Sequence, residues 1–279
     1  MQLGLPGRGI YAYTGGRPFD PSAPCVVFLH GAQHDHSVWI LQSRWLAHHG
    51  CAVLALDLPG HGRSEGPAET SVEAIAARVA DALQPLPNPR WLLAGHSMGS
   101  LIALEMARRQ PARTAGVALL GTAAPMRVSD ALLAATRDDP AAAMRMINVW
   151  SHSPGLAPFA ARPGCPAPGF SIVWQNLRLM QRVTAVNGPQ VLPTDFAACN
   201  AYGGAVEAIR SLDCPTLFVL GSRDQMTPPK SAQPLIAAAS RPQVVTLAAT
   251  GHAMMAENPE GVRRALADFA QQVFAALAA

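Results

Sequence analysis

Short apolar runs alternate along the chain with longer segments in which apolar residues recur at helical spacing. The runs that predict strands lie at residues 9–13, 25–29, 52–56, 91–94, 117–120, 216–220 and 244–247, with residues 1–5 as a candidate partner for the first. Helical patterns cover residues 38–49, 71–83, 98–109 and about 260–277. Most of the strands are apolar without alternation, which predicts burial on both faces. Strands that alternate with helices predict an α/β fold, in which helices sandwich a mostly parallel sheet.

Residues 125–210 interrupt this rhythm. They contain helical patterns at 130–136, 141–150 and 172–186, a loop rich in Pro and Gly at 154–169, and no convincing strand. We interpret them as a helical cap inserted between two parts of the core, residues 1–124 and 211–279. A long insertion with its own helices above a reactive sheet edge is usually functional. The alternative is a pair of long but ordinary crossover connections.

Composition narrows the possible partners and the compartment. Charged residues make up 14% of the chain and hydrophobic residues 49%, against about 25% charged in typical soluble domains. A net charge of +3 with scattered Lys and Arg argues against a nucleic-acid partner. No run approaches the ~18 apolar residues of a membrane span, and the first residues do not resemble a secretion signal. We therefore expect a cytoplasmic protein, and the odd number of cysteines without C-x-x-C spacing predicts buried thiols: Cys25, Cys51, Cys165, Cys199 and Cys214.

The segment Gly95-His96-Ser97-Met98-Gly99 lies between a predicted strand and a predicted helix. A serine with glycine two residues away on each side, in this setting, is typical of a nucleophile elbow. The sharp reversal predicts a positive φ at Ser97, which is costly for a residue with a Cβ. Glycine at both flanking positions would let the strand and the helix pass close together. The predicted result is a serine hydroxyl raised above the sheet edge.

A serine nucleophile needs a base, and the base needs an orienting acid. The first strand after the elbow ends at residues 121–124, which contain no acid. The strand at 216–220 leads into Asp224, and the last strand leads to His252. Because the carboxyl ends of parallel strands share one edge of the sheet, we expect Asp224 and His252 to lie near Ser97. The order Ser97, Asp224, His252 is the α/β-hydrolase order.

Over nearly its full length the chain resembles the α/β-hydrolases, specifically serine-nucleophile, capped, esterase-like members. The matching segments are the elbow, His30-Gly31, residues 57–64 (DLPGHGRS), residues 221–224 (GSRD) and Gly251-His252. The resemblance implies an eight-stranded, mostly parallel sheet with an inserted cap. It also implies an oxyanion hole made by the backbone N–H groups of Met98 and Ala32, with Gln33 as second choice for the latter. The chain departs from many relatives at Ser100, where they have glycine, and at Ala32-Gln33, where some lipases continue a glycine run.

Other polar residues have simpler interpretations. We expect Asp57 to be a turn residue, His30 and His61 to hold loops, and His96 to pack into the scaffold. A metal site at residues 34–36 (HDH) is disfavoured because no further ligand follows at familiar spacing. No metal or cofactor is expected.

The cap predicts an apolar, adaptable pocket, although most of its large apolar residues should form the cap core. These residues are Met126, Met144, Met146, Trp150, Phe159, Phe170, Trp174 and Met180. The candidate substrate contacts are Gln33, Trp150, His152 and Trp174.

The predicted function is a serine hydrolase that cleaves carboxylic esters of small to medium apolar substrates through an acyl-enzyme. A small molecule is then the only expected partner, and the sequence does not indicate an oligomeric state. Three alternatives share the same residues: a C–C bond hydrolase of vinylogous diketones, a cofactor-free perhydrolase or haloperoxidase, and a small-molecule receptor that retains the triad. An aspartate nucleophile is disfavoured because serine occupies the elbow.

Overall fold

The computed structural model describes residues 1–154 and 171–278. Within them, eight strands form one sheet in the order β1-β2-β4-β3-β5-β6-β7-β8. The strands are β1 Gln2–Leu3, β2 Ile10–Tyr13, β3 Cys25–Leu29, β4 Ala52–Leu56, β5 Trp91–His96, β6 Thr114–Leu120, β7 Thr216–Gly221 and β8 Pro242–Leu247. Strand β2 runs antiparallel to β1 and β4, and all the other neighbours are parallel. The mostly parallel sheet and the pairing of the first two strands are confirmed.

The five central strands, β3 to β7, are buried at every residue. Their continuous apolar character therefore reflects burial on both faces, as predicted. Strand β8 is different, because its residues alternate between more and less exposed positions. It lies at the end of the sheet, where β7 is its partner.

Helices cover both faces of the sheet. The helices of the core are α1 Ile40–Ala47, α2 Val72–Leu83, α3 Met98–Arg109, α9 Gln233–Ala238, α10 Met254–Glu257 and α11 Pro259–Ala278. Helices α2, α3 and α9 pack on one face, whereas α1, α10 and α11 pack on the other. The predicted helix at 38–49 begins as a 3-10 turn, His36–Trp39, before α1. The Ser71 hydroxyl caps α2 by accepting the N–H of Ala74 (3.1 Å).

The inserted region contains α4 Asp130–Asp138, α5 Pro140–Trp150, α6 Ile172–Asn187, α7 Val191–Ala201 and α8 Ala205–Arg210. Helices α4 to α6 lie close to the predicted bounds, and α4 to α7 share a small apolar core. Helix α8 instead packs on the core helices α3 and α9. Helix α7 is absent from the sequence prediction. Its apolar residues do not form one stripe, and Pro193, which the first turn of a helix tolerates, interrupts the pattern. The predicted loop beyond Pro154, together with Phe159, Cys165 and Phe170, lies outside the described residues.

Four of the cysteines are described, and none of these four forms a disulfide. Cys25 and Cys199 are buried, whereas Cys51 and Cys214 are half-buried. Burial raises the pKa of Cys25 to about 12, so this thiol stays protonated at neutral pH. Among residues 1–154 and 171–278, no helix is both long enough and apolar enough to cross a membrane.

Candidate active site

The elbow has the backbone conformation that its sequence predicts. Ser97 joins β5 to α3 at φ 53° and ψ −120°. A Cβ added to Gly95 would lie 2.0 Å from the Gly99 carbonyl oxygen, and one added to Gly99 would lie 2.2 Å from that of Leu29. Only glycine fits both positions, because real side chains never approach a backbone oxygen so closely. The two glycines therefore permit the tight strand–helix crossing that holds Ser97.

Hydrogen bonds fix the Ser97 backbone from two directions. Its N–H donates to the Leu120 carbonyl (2.9 Å), and its own carbonyl accepts the N–H of Ser100 (2.8 Å). The Ser100 hydroxyl also donates to that carbonyl (2.6 Å) and is hydrogen-bonded with the Thr122 hydroxyl (2.8 Å). Ser100, which the sequence marked only as a departure from relatives, thus ties the elbow to the loop after β6.

The predicted acid and base are hydrogen-bonded to each other. His252 Nδ1 donates to Asp224 Oδ2 over 2.8 Å. Asp224 Oδ1 accepts the N–H groups of Met226 (2.9 Å) and Thr227 (2.8 Å), and the Thr227 hydroxyl donates to Oδ2 (2.8 Å). The carboxylate therefore requires a proton on Nδ1 and leaves Nε2 free to accept one. Thr227 is not among the predicted site residues, although its position three residues after an aspartate at a strand end is a local turn signal.

Ser97 and His252 both adjoin His96. His96 directly precedes Ser97, its ring lies 4.6 Å from that of His252, and its Nε2–H donates to the His252 carbonyl (2.9 Å). Burial and the neighbouring His252 keep the pKa of His96 well below its ordinary value. His96 is thus a neutral residue that packs into the scaffold, as expected, and it supports the backbone of His252.

The loop after β3 faces the elbow. A Cβ added to Gly31 would lie 3.2 Å from that of Ser97. His30 Nδ1 donates to the Gly31 carbonyl (2.8 Å), and its Nε2 accepts the N–H of Leu58 (3.0 Å). Burial lowers the pKa of His30 to about 3, so its ring is neutral and fixes this loop to the loop after β4.

Backbone donors are available beside the elbow. The N–H groups of Ala32 and Met98 have no acceptor in the described part of the chain. The N–H of Gln33, the second choice, donates to Asp195 (2.7 Å). Met98 opens α3, where the N–H groups of the first turn lack partners and the helix dipole is positive.

Asp195 on α7 is a buried residue that is not among the predicted site residues. Its Oδ2 accepts the N–H of Gln33 and also the Nε2–H of His61 (2.8 Å), whose Nδ1 donates to the Pro59 carbonyl (3.0 Å). Burial opposes a charge on His61, but the charge and hydrogen bond of Asp195 raise its pKa overall. His61 holds its turn, as expected, and it does so against a carboxylate of the cap. No local signal could identify Asp195, since its partners lie more than a hundred residues away.

Glu257 is a second buried carboxylate near the site. It accepts the N–H groups of Gly251 (3.1 Å) and Ser153 (3.2 Å). On the other side of His252, the N–H of Ala253 donates to the Ser151 carbonyl (2.7 Å). The end of α5 is therefore joined to the backbone on each side of His252 in sequence.

A cleft of about 1240 Å³ lies between α6 and the segments that begin α1 and α11. His34, His96 and His252 are among its lining residues. Apolar Ile40, Leu41 and Met255 line it together with polar or charged Gln175, Asn176 and Arg178. Most of the lining surface is apolar, as predicted. The cap methionines Met144, Met146 and Met180 pack inside the cap, as expected of most of its apolar residues, whereas Met126 packs in the sheet core.

The four predicted substrate contacts have different surroundings. Trp174 is 59% exposed and lines the cleft. Trp150 is partly exposed at the end of α5, and His152 is buried with Nδ1 donating to the Asn148 carbonyl (2.7 Å). Gln33 is buried, and its side-chain nitrogen donates to the Met180 carbonyl (2.9 Å) and the Thr184 hydroxyl (2.7 Å). The Gln33 side chain is thus hydrogen-bonded to α6.

Possible metal ligands Asp35, His36 and Asp57 lie within 4.8 Å of one another. The carboxylates of Asp35 and Asp57 already accept hydrogen bonds from the protein. Asp57 accepts from the His36 ring (2.7 Å) and from the N–H of Arg63 (2.8 Å), which gives it the predicted role in a turn. Asp35 accepts from Ser37 and Arg182. His34 belongs to the cleft instead, where its Nε2–H donates to Asn176 (2.9 Å).

The family model described as "Alpha/beta hydrolase family" matches residues 26–265, and the chain belongs to that family. A 2-succinyl-6-hydroxy-2,4-cyclohexadiene-1-carboxylate synthase from Salmonella agona (strain SL483) is 27% identical over 90% of this chain and 95% of that protein. A pimeloyl-[acyl-carrier protein] methyl ester esterase from Methylococcus capsulatus (strain ATCC 33009 / NCIMB 11132 / Bath) is 36% identical over 40% of each chain. That esterase and two other curated relatives are matched over only 32% to 40% of their own length.

Solved structures show the same fold. An esterase from Exiguobacterium antarcticum superposes with a TM-score of 0.80 at 18% identity, covering 97% of this chain and 98% of that one. The enol-lactonase from Burkholderia xenovorans LB400 gives a TM-score of 0.79 at 20% identity, covering 96% and 99%. At these identities the likeness concerns the fold alone.

Proposed function

We propose that the protein is a serine hydrolase that cleaves carboxylic esters of small to medium, uncharged substrates through an acyl-enzyme. The observation that carries the proposal is the buried His252–Asp224 hydrogen bond of 2.8 Å at the same sheet edge as Ser97. Together with the elbow serine, such a pair provides the nucleophile, the base and the orienting acid that acyl transfer requires. The mixed lining of the cleft suits an ester with one apolar and one polar portion.

In the proposed mechanism, Ser97 Oγ attacks the ester carbonyl carbon while His252 Nε2 takes the hydroxyl proton. Asp224 holds the ring with its proton on Nδ1 and stabilises the imidazolium. The N–H groups of Ala32 and Met98 donate to the oxyanion. The tetrahedral intermediate then expels the alkoxide, which receives the proton from His252 and leaves as the alcohol. Water, deprotonated by His252, releases the acid and restores Ser97.

The engagement of the Gln33 N–H by Asp195 favours Ala32 as the donor from the β3 loop. A group already donating over 2.7 Å within the protein has no second hydrogen for a substrate oxygen. The two donors of the proposed oxyanion hole therefore come from the loop after β3 and from the start of α3, which approach each other at Gly31 and Ser97. Relatives named as methyl ester esterases support ester hydrolysis as the reaction.

A substitution of Ser97 tests this proposal. We expect Ser97→Ala to lower the kcat for p-nitrophenyl acetate and butyrate by at least ~10³, because the nucleophile is lost. A fluorophosphonate should label wild type at Ser97, as located by mass spectrometry. Ser211→Ala is the matched control, since Ser211 is an exposed residue that directly follows α8, and it should keep the wild-type rate. Ester turnover that survives in the Ser97 variant rules out the mechanism.

The relative that matches over most of its length favours a second candidate. Its name describes a synthase that yields a cyclohexadiene carboxylate, which suggests that the same serine and histidine act on a carboxylate-bearing substrate. Arg178 lines the cleft and offers a cation for such a group. Activity on that synthase's substrate, combined with no turnover of any ester by wild type, would favour this candidate.

A further inference from the structure

Asp195 connects the cap to both core loops that approach the elbow. From α7 it reaches the N–H of Gln33 after β3 and the ring of His61 after β4, at 2.7 Å and 2.8 Å. Asp195 and Gln33 are fully buried and His61 nearly so. A buried carboxylate is costly unless it is paired and hydrogen-bonded. The hydrogen bonds of Asp195 offset this cost, and they also fix the position of the groups that donate them.

Gln33 is the residue that Asp195 holds. It has φ 58°, a conformation that residues with a Cβ rarely adopt. Its N–H is anchored by α7, and its side-chain nitrogen is anchored by the Met180 carbonyl and the Thr184 hydroxyl of α6. Two cap helices thus stabilise a strained residue of the core.

The anchored Gln33 N–H belongs to the peptide that directly follows Ala32. Holding this peptide limits rotation of the Ala32 backbone, and therefore limits the direction of the Ala32 N–H. A carboxylate near a developing oxyanion would also repel it. His61 can carry the compensating positive charge, because both of its ring nitrogens face acceptors.

We propose that Asp195 is a positioning residue that, acting through Gln33, orients the Ala32 N–H toward the oxyanion. The inference rests on the proposed function, because it assumes that an oxyanion forms beside Ser97. An oriented donor matters most when the oxygen carries charge, in the transition state. Loss of Asp195 should therefore lower kcat and leave KM nearly unchanged.

Two variants of similar size separate the hydrogen bond from side-chain volume. Asp195→Asn can still accept the Gln33 N–H, whereas Asp195→Leu cannot. We expect Asp195→Leu to lower kcat by about 10- to 100-fold, with KM within about twofold, and to weaken inhibition by a trifluoromethyl ketone to a similar extent. Asp195→Asn should recover most of both losses. Asp138→Leu, an exposed cap aspartate at the end of α4, is the control and should match wild type.

Hydrogen exchange provides a readout that does not depend on turnover. In Asp195→Leu the Gln33 amide should exchange faster than in wild type, and in Asp195→Asn it should remain protected. If the leucine variant does not fold, as judged by circular dichroism, Asp195→Ala replaces it with the same expected results.

The inference is overturned if the leucine variant keeps the wild-type kcat, if it changes only KM, or if the asparagine variant is equally impaired. Failure of the proposed function looks different. In that case wild type shows no ester turnover that depends on Ser97, whatever residue stands at 195.

Discussion

Histidines near the sheet edge differ in charge because each ring faces different groups. His30 Nε2 accepts a backbone N–H, and its ring is fully buried. His61 has acceptors at both nitrogens, one of them a carboxylate. Burial thus lowers the pKa of His30, whereas the charge of Asp195 outweighs burial and raises that of His61. One histidine is kept neutral to fix a loop, and the other is shifted toward its charged form beside a buried acid.

His30 should make the fold sensitive to acid. Its pKa is about 3 in the folded protein, against 6.5 ordinarily. Between these values the unfolded chain binds a proton that the folded chain does not, so the free energy of unfolding falls as pH falls. The expected contribution is about 1.4 kcal/mol per pH unit. Urea unfolding of wild type and His30→Gln at about pH 7 and pH 5 measures it.

The His30 variant should lose roughly 2 kcal/mol less than wild type between about pH 7 and pH 5. His49→Gln, which removes an exposed histidine, should retain the wild-type slope. Equal slopes in wild type and His30→Gln would contradict a neutral His30. His61 contributes with the opposite sign, because its raised pKa gives stability that is lost as pH rises above the ordinary value.

Among the elements, the β5–α3 elbow depends most directly on particular residues. Gly95 and Gly99 have no room for a Cβ, and the obstructing atoms are backbone atoms that cannot turn aside. We expect Gly95→Ala to lower the free energy of unfolding by about 3 kcal/mol or more, since overpacking here must move a strand or a helix. Chemical denaturation measures the loss.

Gly203→Ala serves as the control for the elbow. A Cβ at Gly203 would meet nothing within 4 Å, so its stability should change by less than about 0.5 kcal/mol. A stable Gly95→Ala protein with an unchanged midpoint would show that the strand and helix can separate at no cost, against the close approach described above.

The strands and helices differ in how far the sequence could predict them. The buried strands carry continuous apolar runs, and chain order alone placed Asp224 and His252 at one edge, because the carboxyl ends of parallel strands converge there. Helix α7 escaped prediction since Pro193 interrupts its pattern. Asp195 and Glu257 escaped too, because a buried carboxylate is recognised by its tertiary partners. Those partners, such as Gln33 and Ser153, are distant in sequence.

At the scale of the whole molecule, cap and core share their packing. Tyr202, just after α7, lies in the same apolar cluster as α2 and α3, and its hydroxyl donates to Glu105 on α3 (3.1 Å). The small cap core in turn touches Ala32 and Met226 of the core loops. The two parts therefore depend on each other for burial, which predicts that they unfold together.

A cavity in the cap tests this dependence. Leu192 is 1% exposed in the cap core, so Leu192→Ala should cost about 2 to 5 kcal/mol. The whole thermal transition should shift to lower temperature, with far-UV circular dichroism and tryptophan fluorescence still coincident. Val149→Ala, at a position 65% exposed, should leave the transition in place. An early transition seen only by fluorescence would mean that the cap melts alone.

The hydrogen bond from the Gln33 N–H after β3 to Asp195 on α7 has a consequence for engineering the cap. A chimera that carries the cap of another family member exchanges the insertion as a unit. Here a foreign cap lacking an acceptor opposite residue 33 would leave a buried histidine and an amide without their shared partner. Any transplant onto this scaffold must bring its own acid at that location, or the recipient must be redesigned at residues 33 and 61.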